Sequence, residues 1–251
     1  MTAGEGAARR RRKRSIVTRL RIFWVFIVIV AGAAAYGAYA LITLPALRVS
    51  AVDVQIAGRV VQKPDVVRAA NIDRTRNAWL LDTGAIARRI EAIPYVDRAT
   101  VRRIPPARVV IAVSEREPVA CVRGGSRVVT IDRTQRILQD GCARASALQI
   151  VLRDATLGGP GSLASPPALA ALLDDGRTLR DAGVQTRSIA VDSYGQLVAV
   201  DTRGIQLLLG DDADVAEKAK LVAPVIGAAT PGRSIRAVDL RAPTTPTVQF
   251  K

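Results

Sequence analysis

IPYVDRATVRRIPPARVVIAVSEREPVA, residues 93–120, decides how the chain folds. Ala99 and Val101 alternate with Thr100 and Arg102. After the Pro105–Pro106 turn, Val109, Ile111 and Val113 recur at every second position, so two strands each bury one face. Upstream, Val52, Val54 and Ile56 alternate with Asp53 and Gln55 and stop at Gly58, a third strand whose glycine is expected to supply a turn geometry. Between them the period lengthens. Pro64 suits a first helical position ahead of Val66, Val67, Ala70 and Ile72, and a loop through Asn77 leads to Trp79 and Leu80. Asp82 then caps a helix carrying Ile86, Ile90 and Ile93, which Pro94 ends. Residues 48–118 therefore read as one β-α-α-β-β module.

Residues 119–251 read as a second, strand-rich module. Val119–Val122, Val128–Asp132 and Ile137–Leu138 form a meander, with turns at Gly124–Gly125 and Asp132–Gln135. A Gly/Pro/Ser loop spans Gly158 to Pro167, and Leu169, Leu172, Leu173 and Leu179 mark a helix closed by Gly183. Ser188–Val191, Leu197–Val200 and Ile205–Leu209 follow as hairpin strands turning at Tyr194–Gly195 and Thr202–Gly204. Val215, Ala219, Val222 and Ile226 share a face of a last helix ending at Gly227, and Ile235–Leu240 is extended again. The class expected is α+β: a mostly antiparallel sheet domain with two helices, behind the β-α-α-β-β module.

The first 47 residues differ from both modules. The chain carries a formal net charge of +15, and about half of that excess sits in Arg9 to Arg14 with Arg19 and Arg21, opposed only by Glu5. From Ile22 to Leu47 no residue is charged. About 20 apolar residues suffice to cross a bilayer, so 22–47 is expected to be a single transmembrane helix and 1–21 a basic cytoplasmic tail. Trp24, Phe26, Tyr36 and Tyr39 suit its interfaces. Ala38-Tyr39-Ala40 would serve as a signal-peptide cleavage site, but the uncharged run is longer than such a leader needs, so a retained anchor is the reading. The arginine cluster would also suit a nucleic-acid arm. Its place beside the span favours a topology signal attracted to anionic lipid.

Several chemistries drop out on composition. The sequence has no histidine, which removes Ser-His-Asp, Cys-His and His-zinc arrangements. No phosphate-binding Gly-Lys-Ser/Thr loop, Gly-x-Ser-x-Gly elbow or Ser-x-x-Lys motif is present. Asp174–Asp175 and Asp211–Asp212 are the paired carboxylates. Neighbours in sequence point apart, and Asp211–Asp212 read better as caps of the following helix. No catalytic residue, metal ligand, cofactor or small-molecule substrate is expected. Cys121 and Cys142 are either one disulfide, closing a loop of about 20 residues and worth roughly 3 kcal/mol in the chain-entropy model, or two buried thiols.

Val52 to Gly58, then Asn77-Ala78-Trp79-Leu80-Leu81-Asp82, then Ile93 to Arg103, then Val113 to Ala120, taken in that order, resemble the POTRA domain of the bacterial FtsQ/DivIB cell-division family. The likeness continues through Ile131–Asp132, Leu209–Gly210, Lys218 to Leu221 and Val238 to Arg241. The resemblance implies a non-catalytic septal scaffold in the inner membrane, with its C terminus outside, that links divisome components. Its implied partners are FtsB and FtsL, a strand of FtsB pairing onto a sheet edge at the C-terminal end. Thr247, Val248, Gln249 and Phe250 are then the contact candidates, with Tyr194, Lys218 and Lys220 behind them; a frayed terminus is the alternative. An anchored wall hydrolase and an envelope-assembly factor are the competing classes.

Overall fold

A computed structural model describes residues 5–144, 147–153, 155–229 and 232–251 and, within its first helix, the side chains of 21–37, 39, 40 and 43. That helix, α1, spans Glu5–Thr43. The side chains of the Arg9–Arg14 cluster lie outside the described residues. The span expected over 22–47 is not borne out, since no helix among the described residues is long and apolar enough to cross a membrane. The helical run also stops at Thr43, short of Leu47. Pro45 cannot continue the ladder, and a 3-10 turn over Pro45–Leu47 takes its place. Ile22 to Val30 are all exposed along α1.

The first module follows its expected order. Strand β1 is Ala51–Ala57, helices α2 and α3 are Lys63–Ala70 and Thr83–Glu91, and strands β2 and β3 are Val96–Ile104 and Arg108–Glu115. Its sheet is ordered β1-β3-β2, with β1 parallel and β2 antiparallel to β3. Val109, Ile111 and Val113 are buried, as the alternation requires, together with Val66, Ile86, Ile90 and Val96. The Asp82 carboxylate caps α3, accepting from the Ala85 N–H at 2.9 Å. Gly58 plays a different part from the one expected. It is not among the positive-φ residues; instead the Glu115 carboxylate occupies the space a Cβ would need. That carboxylate accepts the backbone N–H groups of Arg59, Val60 and Val61 and so closes the loop after β1.

The second module is one nine-stranded sheet: β4 (Pro118–Gly124), β5 (Arg127–Asp132), β6 (Ile137–Asp140), β7 (Leu148–Leu152), β8 (Thr186–Val191), β9 (Leu197–Asp201), β10 (Gln206–Gly210), β11 (Ile235–Asp239) and β12 (Thr247–Phe250). Their order is β12-β11-β10-β9-β8-β7-β4-β5-β6. Helices α4 (Leu169–Asp181) and α5 (Val215–Gly227) cover the core of this module. Strand β7 has no counterpart in the sequence reading. It lies between β4 and β8, parallel to both, and its five residues, with Gln149 the one polar side chain among them, are too few to show a period. Gly176 lets α4 lie on it, since a Cβ there would meet Leu148 Cδ2 at 2.5 Å.

Three hairpin turns repeat one device. Asp132, Asp192 and Asp201 each accept, through Oδ1, the backbone N–H groups two and four residues on. The residue three on, Gln135, Gly195 or Gly204, takes a positive φ in each case. The Gly158–Pro167 loop also finds its place here. Ile137 N–H donates to Ser162 O at 2.9 Å and Gly161 N–H to Ile137 O at 2.7 Å, so this segment pairs along the outer side of β6. The sulfurs of Cys121 on β4 and Cys142 beyond β6 are bonded, with Cα atoms 5.4 Å apart.

The modules meet through Arg116, whose side chain is 13% exposed. Its Nη1 lies 2.8 Å from Asp132 Oδ2 and 3.3 Å from Asp97 Oδ1, and its Nε donates to Val96 O at 2.9 Å. Beside it, the Tyr95 hydroxyl donates to Gln139 Oε1 at 2.7 Å. Sequence alone puts Arg116 among solvated edge charges or cross-strand pairs. It is instead a charge held between two domains, because Asp132 is only 3% exposed and cannot be left unpaired. Burial pushes the Asp132 carboxyl up, yet the Arg116 guanidinium, the Thr134 hydroxyl and the N–H groups of Arg136 and Thr134 outweigh it and hold the pKa below its ordinary value.

Both the first core and the Arg116 junction can be probed by single substitutions. Ile111→Asp buries an unpaired charge in the first core and should abolish the cooperative unfolding transition of that module in a 48–251 fragment followed by circular dichroism. Asp132→Asn should cost about 2–3 kcal/mol at pH 7 by urea unfolding. Because the folded pKa is depressed, the stability it contributes is present above the ordinary aspartate value near 3.8 and is lost as pH falls through the lower folded value. The gap between variant and parent should therefore narrow below about pH 4.

Candidate functional site

The candidates Thr247 to Phe250 constitute β12, the terminal strand of the large sheet. Antiparallel pairing to β11 sets its register: Thr247 opposite Asp239, Val248 opposite Val238 and Gln249 opposite Ala237, with an irregularity before Phe250 meets Ile235. Among the described residues no strand lies beyond β12, so its outer row of N–H and C=O groups faces away from the sheet. Pro243 and Pro246 precede it, and neither can donate to an extended ladder. Thr247 and Gln249 are exposed, while Val248 and Phe250 are half-buried. The Arg233 guanidinium stacks over the Phe250 ring, 4.2 Å from its centroid. Phe250 is thus held in place on one side rather than swinging free. Lys251 N–H donates to Ser234 O at 2.9 Å and ties down the end of the chain.

Tyr194, 86% exposed, stands at the tip of the β8–β9 hairpin. The register puts that tip, the end of β11 and the start of β12 at one end of the sheet, and Asp192 lies near enough to Arg241 to act on its charge. The Arg241 guanidinium in turn pairs with Asp239, and this bond holds the Asp239 carboxyl below its ordinary pKa. The structure therefore brings Tyr194 and Thr247 to the same end.

The two lysines part company. Lys218 is 3% exposed, and its ammonium donates to Asp211 Oδ1 at 2.7 Å and Asp211 O at 3.1 Å. It cannot be a surface contact, and the expectation is corrected: the lysine tethers the β10–α5 connection from inside. Lys220, two residues on, is exposed and pairs with Glu217 at 2.8 Å on the outer side of α5. Helix α5, which carries both lysines, contacts β11 and β12.

The paired carboxylates also resolve. Asp211 and Asp212 do not cap α5; Asp214 occupies that position, without a side-chain capping bond. The Lys218 ammonium holds the Asp211 carboxyl below its ordinary pKa. Asp175 on α4 is the opposite case: burial first, then the neighbouring Asp212 and Asp174 charges, push it up to about 6. A carboxyl raised in this way can hold a proton, but Leu172, Leu173 and Leu179 of the same helix all belong to the second core, and Asp175 sits at the margin of that core rather than in a reactive cleft. Among the described residues no group of His, Cys, Asp or Glu side chains could hold a metal ion.

Comparison with known proteins bears on the first module. The model of the POTRA domain, FtsQ-type, matches residues 47–116. The cell division protein FtsQ of Koribacter versatilis (strain Ellin345) is 38% identical over 68 residues, 27% of this chain and 20% of the relative. The match thus spans about a fifth of the length of that curated relative. Over these residues the sequence likeness, the β-α-α-β-β order and the buried alternation of β3 agree, and residues 47–116 form a POTRA domain of the FtsQ type.

Proposed function

We propose that this chain is a cell-division scaffold of the FtsQ/DivIB kind, which links divisome proteins outside the cytoplasm without catalysing a reaction. The observation that carries the reading is the pairing of an FtsQ-type POTRA domain at 47–116 with a second sheet whose last strand, β12, has no strand on its outer side among the described residues. A partner strand added there would satisfy that open row of backbone groups, and the alternate side chains Thr247 and Gln249 would set its register. Residues 1–21 form the cytoplasmic tail, 22–47 the single inner-membrane anchor, 48–118 the POTRA domain and 119–251 the partner-binding domain. The anchor is supported by the uncharged run from Ile22 to Leu47 beside the arginine cluster, and by a helix that exposes every side chain from Ile22 to Val30. An oxidising exterior accords with bonded Cys121 and Cys142.

FtsB and FtsL are the partners this reading names, with β12 receiving a strand of FtsB at the septum. Deleting Thr245 to Lys251 should leave the remaining ectodomain folded, since no residue of that segment belongs to the buried core. Co-purification of an FtsB-like coiled-coil protein should fall at least tenfold. Capture at unchanged affinity by the truncated chain would overturn the edge-strand reading.

A further inference from the structure

The POTRA module has two ends, and the fold assigns them differently. At one end β1 and β3 begin and β2 finishes; at the other, Tyr95 and Arg116 join the second module. The first end is where the chain arrives from α1. Only Leu44 to Leu47 separate Thr43 from Arg48, which bridges to Asn77, and Val49 N–H then donates to Arg76 O at 3.2 Å. The connection is wound into a 3-10 turn rather than extended, so Asn77 lies on the order of 10 Å from the end of α1. Headgroup regions add several ångströms on each side of a bilayer's hydrocarbon, so this end of the module is kept at interfacial distance from any membrane that α1 enters.

The surface there is apolar. Trp79 and Leu80 follow Asn77 in a 3-10 turn and are 43% and 62% exposed; Ile104, at the end of β2, is 44% exposed. Pro105 and Pro106 extend the patch toward β3, and Leu44 of the connection is likewise exposed. The Trp79 indole is already satisfied, its Nε1 donating to Pro106 O at 3.1 Å, so the ring can enter an apolar phase without stranding a donor. Arg103 Nη1 donates to Trp79 O at 2.7 Å and holds the turn outward. Arg48, Arg76 and Arg108 are exposed around the same end, Arg76 lying 3.6 Å from Asp73 and Arg108 3.5 Å from Asp53 in solvent-exposed pairs that lipid phosphates can replace. Apolar and aromatic side chains rimmed by long cationic ones match the chemistry of an anionic bilayer surface.

We propose that this end of the POTRA domain rests on the outer face of the membrane, with Trp79, Leu80 and Ile104 in the headgroup layer and the surrounding arginines on lipid phosphates. The inference rests on the anchored reading of α1. Contact at two places, helix and patch, would fix the tilt of the module and so the direction in which β12 is presented.

The test uses the full chain with Trp24→Phe, which leaves Trp79 as the sole tryptophan, reconstituted into vesicles of equal parts phosphatidylcholine and phosphatidylglycerol. Replacing the phosphatidylcholine by a lipid brominated near the headgroup should quench Trp79 emission at least twofold, and aqueous iodide should quench it less than in a 48–251 fragment free in buffer. Leu80→Glu, at an exposed position, should return Trp79 to the aqueous behaviour. Emission untouched by brominated lipid, in a chain that resists alkaline carbonate extraction, would overturn the inference and leave the anchor standing. A chain released by carbonate would overturn both. Equal quenching in pure phosphatidylcholine would overturn the arginine contribution and keep the apolar one.

Discussion

A β-sheet that does not close must end twice, and each end leaves a row of backbone N–H and C=O groups without partners. The nine-stranded sheet treats its two ends in opposite ways. Beside β6, Gly161 and Ser162 pair with Ile137, and Ala164 N–H donates to Gln135 O at 2.8 Å, so a loop occupies the edge. Beside β12 no described strand or loop does the same. The β2 edge of the POTRA sheet is guarded in other ways. Along β2, Arg98, Arg102 and Arg103 bring charge to the edge, a register shift follows Val96, and the Glu91 carboxylate already accepts the Ala99 N–H at 3.0 Å. Strand β12 has no charged side chain between Thr247 and Phe250. It is less protected against a further strand than the edges at β6 and β2.

The remainder of the fold makes that edge rigid. Phe250 is stacked under Arg233, Lys251 is bonded to Ser234, and α5 lies beneath with Lys218 locked to Asp211. An edge held this firmly loses little conformational freedom when a partner strand docks, which favours binding without new contacts. Arg116 extends the same logic between domains. Its bonds to Asp132, Asp97 and Val96 O tie the POTRA sheet to the β5–β6 hairpin, so a displacement of one module must move the other.

Much of the fold is legible in the residues because strong local patterns agree with the global packing. The alternation Val109, Ile111, Val113 could belong only to a half-buried strand, Asp82 to a helix cap, and the Asp132, Asp192 and Asp201 turns to hairpins. What escapes depends on contacts between distant segments. The run Leu148–Leu152 is too short and too apolar to announce itself, so β7 is not legible, nor with it the parallel centre of the sheet. Lys218 looks like any helix-surface lysine until Asp211 is placed over it, and Arg116 like any edge charge until Asp132 arrives from the next hairpin. For Gly58 the signal points to turn geometry, whereas the constraint is the Glu115 carboxylate, which belongs to the far end of β3. The open edge at β12 is anticipated by the family likeness; the loop that closes β6 is not.

Amide hydrogen exchange compares the two edges directly. In the free ectodomain the outward amides of 247–250 should exchange within seconds to minutes while those of 137–140 stay protected, and adding the FtsB-like partner should slow exchange at 247–250 at least tenfold with little change elsewhere in the sheet. Slow exchange at 247–250 before any partner is added, or partner protection that falls on β1 or β2 instead, would contradict the account.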